Sequence, residues 1–198
     1  VKIKVLRREE NISFELVRAA VPSENVIYTK LDGNIAFIQI LSFAETTVSE
    51  EFDLKLKTAI DDGCDKFIFD VRNNAGGNLD EIRAILDRIL PKGPIIHFKD
   101  KSGKATTYHS DAENYLDGKM AVLCNKNPAS AAELFTAALR DYKIAEIVGK
   151  TTFGKGTMQT TRTLPDGSAL KLTTAFYNPP SDVSYDGIGI VPDFDIDL

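Results

Sequence analysis

Four strand-length apolar runs, set apart by helix-length stretches, constrain the fold most. They lie at residues 35–41, 67–71, 120–124 and 144–148. Runs of this kind lack polar alternation, which is expected of buried strands in a parallel sheet covered by helices. The stretches between them carry helical spacing. Val48, Phe52, Leu56 and Ile60 recur every fourth residue behind Thr47-Val48-Ser49-Glu50, which reads as a capping box, and Gly63 ends that helix. Asn78 is placed to cap a second helix bearing Leu79, Ile82, Leu86 and Ile89, closed by Pro91. A third runs from Ser130 to about Tyr142, with Leu134, Ala138 and Tyr142 on one face. The expected class is α/β, with helices covering a largely parallel sheet.

Other segments read as hairpins. In residues 1–20, Val1, Ile3 and Val5 alternate with lysines, Arg8-Glu9-Glu10-Asn11 turns the chain, and Ile12, Phe14 and Leu16 resume the alternation. A lone hairpin is marginal in water, so this one is expected either to join the main sheet or to belong to another domain. Ile95-Ile96 opens a hairpin turning near Lys101-Ser102-Gly103, and Pro165-Asp166-Gly167 turns another between residues 157–164 and 168–175. From Asn178 the chain reads as an ordered loop returning to the core. With 43% hydrophobic and 27% charged residues, the chain is expected to bury a sizeable core. The net charge of −5, with basic residues interspersed among acids, argues against nucleic acid as a partner. No apolar stretch reaches the length of a membrane span, and the first residues do not read as a signal peptide. Cys64 and Cys124 lie outside any CxxC motif and read as small buried hydrophobes.

Chemistry is expected where buried strands end, and three such junctions stand out. At Asn73-Asn74-Ala75-Gly76-Gly77 a double glycine lets backbone N–H groups point outward as an anion-binding nest, or simply makes a tight turn. At the second junction Ser130 opens a helix. It reads either as a cap or as a nucleophile presented beside the Ala131 N–H at the positive helix end, with Ala129, Ala131 and Ala132 leaving room for a substrate backbone. Glu133 is expected to support that turn rather than react. The third junction is Gly154-Lys155-Gly156, where flanking glycines allow Lys155 to turn inward. A lysine acts as a base only when desolvation lowers its pKa from about 10.4 in water. Gln159 lies four residues on and, in an extended segment, falls on the same face, where its amide oxygen can hold the amine. The alternative is a solvated loop lysine. His97 and His109 are the only histidines and fall on the 95–109 hairpin, which makes a Ser-His-Asp triad a weak reading. No His/Cys/acid cluster has metal-ligand spacing, and no phosphate-binding loop is present, so neither metal nor cofactor is implied.

Taken as an ordered series, these segments resemble the serine–lysine C-terminal processing peptidases, or tail-specific proteases. The series begins with Phe69-Asp70-Val71-Arg72-Asn73-Asn74-Ala75-Gly76-Gly77. It continues through Ala129-Ser130-Ala131-Ala132-Glu133 and Phe153-Gly154-Lys155-Gly156-Thr157-Met158-Gln159. Asp166-Gly167-Ser168-Ala169-Leu170-Lys171-Leu172-Thr173 and Gly187-Ile188-Gly189-Ile190-Val191-Pro192-Asp193 complete it. Pro128 and Ala75 depart from the family's usual residues without removing a reacting group. The resemblance implies Ser130 as nucleophile, Lys155 as general base, Gln159 as its orienting partner, and an oxyanion hole from the Gly76 and Ala131 N–H groups. It implies a crotonase-like or Clp-protease-like superhelical α/β core over residues 21–198, with residues 1–20 as the last hairpin of a PDZ domain. It further implies a serine endopeptidase cleaving proteins near unstructured, apolar C-terminal tails through an acyl-enzyme, located in the cell envelope outside the cytoplasm. Two alternatives stand beside it: a noncatalytic peptide- or ligand-binding module on the same scaffold, and a catalytic fragment inactive without its PDZ domain.

Overall fold

The structure, a computed structural model, describes residues 1–19, 24–113 and 115–197. In chain order the elements are β1 (Lys2–Arg7), β2 (Glu10–Glu15), β3 (Val26–Leu31), β4 (Ile35–Ile40), α1 (Val48–Asp61), β5 (Lys66–Asp70), α2 (Leu79–Asp87), β6 (Gly93–Asp100) and β7 (Ala105–Ser110). They continue with β8 (Lys119–Cys124), α3 (Ala131–Asp141), β9 (Ala145–Gly149), β10 (Thr157–Thr163), β11 (Ala169–Asn178) and β12 (Phe194–Asp195). The four apolar runs become β4, β5, β8 and β9, adjacent and parallel in a sheet of order β12-β9-β8-β5-β4-β3. The antiparallel β3 at one edge was not legible as a strand, since Tyr28, Thr29 and Lys30 interrupt its apolar pattern. The returning tail closes the other edge, with β12 parallel to β9. The two later hairpins join in an antiparallel sheet of order β10-β11-β6-β7.

One face of the large sheet is packed against helices. Phe67 and Phe69 of β5 point to that face, where Phe69 meets Phe52 of α1 at 6.0 Å and Phe135 of α3 edge-on at 5.5 Å. All four rings are buried. The other face, including Phe37, Ile68, Ala121 and Leu123, is only partly covered. Helix α3 is buried on every side from Ala131 to Leu139, which fits its run of alanine, leucine and phenylalanine.

Helix starts follow the sequence unevenly. Asn78 caps α2, its Oδ1 accepting from the Asp80 N–H at 2.8 Å. The box expected at Thr47 does not form. Thr47 Oγ1 donates instead to Glu51 Oε1, and the Ser49 N–H is satisfied by Glu81 from α2. A tertiary carboxylate thus replaces the local cap. The fourth buried residue of α1 is Ala59, with Ile60 on the exposed side. Spacing of four overshoots a 3.6-residue turn, and three repeats of it rotate the side chain off the face.

The N-terminal hairpin is present, with β1 and β2 paired only with each other and side chains on both faces exposed. The expected domain boundary between residues 20 and 21 lies outside the described residues. Among the described residues, no helix is long and apolar enough to cross a membrane. Both cysteines are buried and free, and burial pushes the Cys124 thiol up to about 11.

Candidate active site

Three neighbouring parallel strands, β5, β8 and β9, end at the same edge of the sheet, and this brings the three junctions together. Hydrogen bonds sew the loops to one another. Asn73 and Asn125 exchange bonds at 3.2 and 2.9 Å, the Ala129 N–H donates to the Asn74 carbonyl, and the Phe153 N–H donates to the Pro128 carbonyl. Asn74 is fully buried and works as a bracket. Its Nδ2 donates to the Ile40 carbonyl while its Oδ1 accepts from the Gly76 N–H at 2.8 Å.

That last bond corrects one expectation. The Gly76 N–H, expected to face an oxyanion, is turned into the loop and engaged by Asn74. Gly77 takes the outward position. Phe43 bridges to this turn by donating to the Gly76 carbonyl and accepting from the Asn78 N–H. In a parallel bridge of this kind the residue between those two groups directs its own N–H and C=O away from the partner. Gly77 accordingly lines the cavity, as does Ala131, whose N–H opens α3. Only glycine fits at residue 77, because a Cβ there would lie 2.1 Å from the Phe43 carbonyl carbon.

Ser130 sits at φ 57°, ψ −116°, a backbone region unfavourable to residues with a Cβ. Glu133 holds it there. This buried carboxylate accepts from the Ser130 N–H at 3.1 Å and the Lys155 N–H at 2.7 Å on Oε2. On Oε1 it accepts from Thr152 Oγ1 and the Gly154 N–H, each at 2.6 Å. One side chain therefore fixes the serine loop to the lysine loop, a fuller role than supporting its own turn. Glu133→Gln is expected to lower stability by roughly 2–4 kcal/mol, because an amide Nε2 would face backbone donors in place of an acceptor. Urea denaturation measures this, and a change below about 0.5 kcal/mol would exclude the clamp.

Lys155 is placed by its backbone. Beyond the bond to Glu133, the loop is tied to the returning tail: the Gly156 N–H donates to Asp186 Oδ1 and the Gly187 N–H to the Gly154 carbonyl. The Lys155 side chain lines a cavity of about 530 Å³ together with Ser130, Gln159 and Tyr177. Leu79, Phe98, Leu134 and Met158 form its apolar part. Gln159 thus reaches the same cavity as Lys155, just past a register shift between β10 and β11. Ser130 Oγ accepts a hydrogen bond from the Tyr177 hydroxyl at 2.9 Å. Among the described residues, no hydrogen bond joins Ser130 Oγ to Lys155 Nζ, or Lys155 Nζ to Gln159. Neither histidine lines the cavity; His97 instead bonds Thr107 and the Pro180 carbonyl.

The sequence pattern of peptidase family S41 matches residues 34–196. A probable CtpA-like serine protease of Staphylococcus aureus (strain N315) is 37% identical over 201 residues, covering 100% of this chain and 40% of the relative. The chain thus spans about two fifths of the length of the curated relatives it matches. Among solved structures, the photosystem II D1 C-terminal processing protease superposes with a TM-score of 0.79 at 27% identity, over 94% of this chain and 52% of the other. A lipoprotein from Streptococcus agalactiae superposes with a TM-score of 0.75 at 25% identity, over 88% and 66%.

Proposed function

The chain belongs to peptidase family S41, and we propose that it is the catalytic core of a serine endopeptidase cleaving proteins near unstructured, apolar C-terminal tails. The observation that carries this is a serine held at positive φ with its hydroxyl in a cavity that a lysine also lines. The Lys155 amine takes the Ser130 Oγ proton while Oγ bonds to the scissile carbonyl carbon. The Ala131 and Gly77 N–H groups face the oxygen on which charge develops. When the intermediate collapses, the C–N bond breaks and the lysine ammonium returns its proton to the leaving amine. Water, deprotonated by the same amine, then hydrolyses the acyl-enzyme and frees Ser130. In the working arrangement the Gln159 amide oxygen, which lines the same cavity, would accept from the lysine and direct it at Oγ. The leucine, methionine and phenylalanine side chains of the cavity suit apolar substrate residues.

A second reading is favoured by a missing bond. Among the described residues no hydrogen bond joins Ser130 Oγ to Lys155 Nζ, so the lysine must close on Oγ before cleavage, with the Tyr177 hydroxyl already in place there. The N-terminal hairpin, exposed on both faces and carrying Ile3, Val5, Ile12 and Phe14 on one of them, fits the remainder of a PDZ domain that would capture tails and promote that alignment. The similarity to a lipoprotein supports a location in the cell envelope, outside the cytoplasm.

An unfolded reporter ending in apolar residues, compared with the same reporter ending in two aspartates, tests the substrate class. With the full natural chain, cleavage of the apolar-tailed form is expected to be at least about tenfold faster in kcat/KM. Equal rates on both tails would remove the tail preference.

A further inference from the structure

Tyr177 lies near the end of β11, opposite Phe98 of β6. Its ring is buried and packs edge-on against Tyr185 with centroids 6.3 Å apart. Its backbone N–H donates to the Gly156 carbonyl at 3.0 Å, so the same residue is stitched to the lysine loop through its main chain. The hydroxyl is therefore carried on a plane with little room to move. It donates to Ser130 Oγ at 2.9 Å and lies 3.0 Å from the Lys155 carbonyl oxygen. Burial raises the pKa of this phenol, which keeps it a neutral donor across the neutral range.

A serine oxygen has tetrahedral directions for Cβ, one proton and two lone pairs. Without a partner, the side chain samples three staggered wells and the hydroxyl proton rotates freely. A fixed donor on one lone pair ends that freedom. What remains is one lone pair for the carbonyl carbon and one proton for a base. The same donor is also well placed during reaction. As the proton leaves, negative charge grows on Oγ, and a hydrogen bond into a charged oxygen is shorter and stronger than one into a neutral hydroxyl. The charge returns to Oγ when the acyl-enzyme breaks down, so the phenol assists both halves of the cycle.

We propose that Tyr177 is a further catalytic residue, whose hydroxyl aims the Ser130 nucleophile and stabilises the charge that develops on its oxygen. The assignment rests on the proteolytic reading above. The Lys155 carbonyl oxygen, 3.0 Å away, is the alternative acceptor for the same single proton, and it keeps the phenol satisfied whenever Oγ is turned away.

Tyr177→Phe deletes one oxygen and keeps the ring, and the full natural chain carrying it is assayed on the apolar-tailed reporter. Rates are referred to the number of sites titrated with a fluorophosphonate that phosphonylates Ser130. The expected result is a fall in kcat per titrated site on the order of 10- to 100-fold, with KM changed less than about twofold. Phosphonylation of Ser130 slows in parallel. A purely structural role would reduce the number of titratable sites while leaving kcat per site alone, and that outcome overturns the assignment. So does a rise in kcat, which would make the phenol a restraint on Oγ. A wild-type protein that neither cleaves nor takes the label at Ser130 removes the proteolytic reading itself, and the role of Tyr177 with it. An active wild type with an equally active Tyr177→Phe removes only the latter.

Discussion

Lys155→Ala is expected to lower kcat by about 10²- to 10⁴-fold, the range a positioned general base contributes. The substitution is a clean one. Everything that fixes residue 155 in the loop is backbone: its N–H donates to Glu133 Oε2, and its carbonyl oxygen lies 3.0 Å from the Tyr177 hydroxyl. Alanine keeps both contacts. Only the amine leaves the cavity, so the melting midpoint should stay close to that of the parent while the rate collapses. Lys155→Arg should be equally inactive, because a guanidinium stays protonated and cannot accept the serine proton. The measurement is single-turnover cleavage of the apolar-tailed reporter, with thermal denaturation alongside it. Cleavage that survives in the alanine variant would assign the base elsewhere and end the Ser–Lys mechanism.

The scaffold of this site was legible because its signals are local. Near-continuous apolar runs give parallel strands, and strands that pair in parallel place their following loops at one edge. The junctions holding Ser130, Lys155 and the paired glycines could therefore be put at strand ends from composition alone. What was not legible depends on partners distant in the chain. Which glycine faces the cavity is decided by the bridge to Phe43 and by the Asn74 side chain, and neither leaves a mark in the run Ala75-Gly76-Gly77. The Thr47 box failed for the same reason, since Glu81 arrives from another helix to accept from the Ser49 N–H in place of the Thr47 hydroxyl. Tyr177 sits in a strand whose sequence carries no chemical motif, and only the pairing of β11 with β6 and β10 brings it under Ser130.

Glu133 and Ser130 together explain how an unfavourable backbone is kept. The carboxylate receives the Ser130 N–H, while the Ser130 carbonyl accepts from the N–H groups of both Glu133 and Leu134 as α3 begins. The buried body of α3, with Phe135 wedged against Phe43 and Phe69, leaves the helix no other seat. Packing and hydrogen bonds therefore overrule the local preference of residue 130, and the cost remains as strain on the nucleophile.

That strain predicts opposite effects on stability and activity at one position. A residue with a Cβ at φ 57°, ψ −116° carries roughly 1–3 kcal/mol of backbone strain. Glycine lifts the strain but gives the unfolded chain about 0.5–1 kcal/mol more entropy to lose. Losing Oγ does not orphan the Tyr177 hydroxyl, which keeps the Lys155 carbonyl as acceptor. The balance is that Ser130→Gly should be more stable than the parent by about 1 kcal/mol, a rise of roughly 2–4 °C in melting midpoint for a chain of this size. Ser130→Ala retains a Cβ and should melt near the parent. Both variants lose the nucleophile and should fall by about 10⁴-fold or more in kcat. The comparison that decides the matter is glycine against alanine, since each lacks the hydroxyl and they differ only in the Cβ that the backbone must accommodate. A glycine variant no more stable than the alanine variant would mean that Ser130 reaches its conformation without strain, and that the clamp at Glu133 aligns the two loops without working against the backbone.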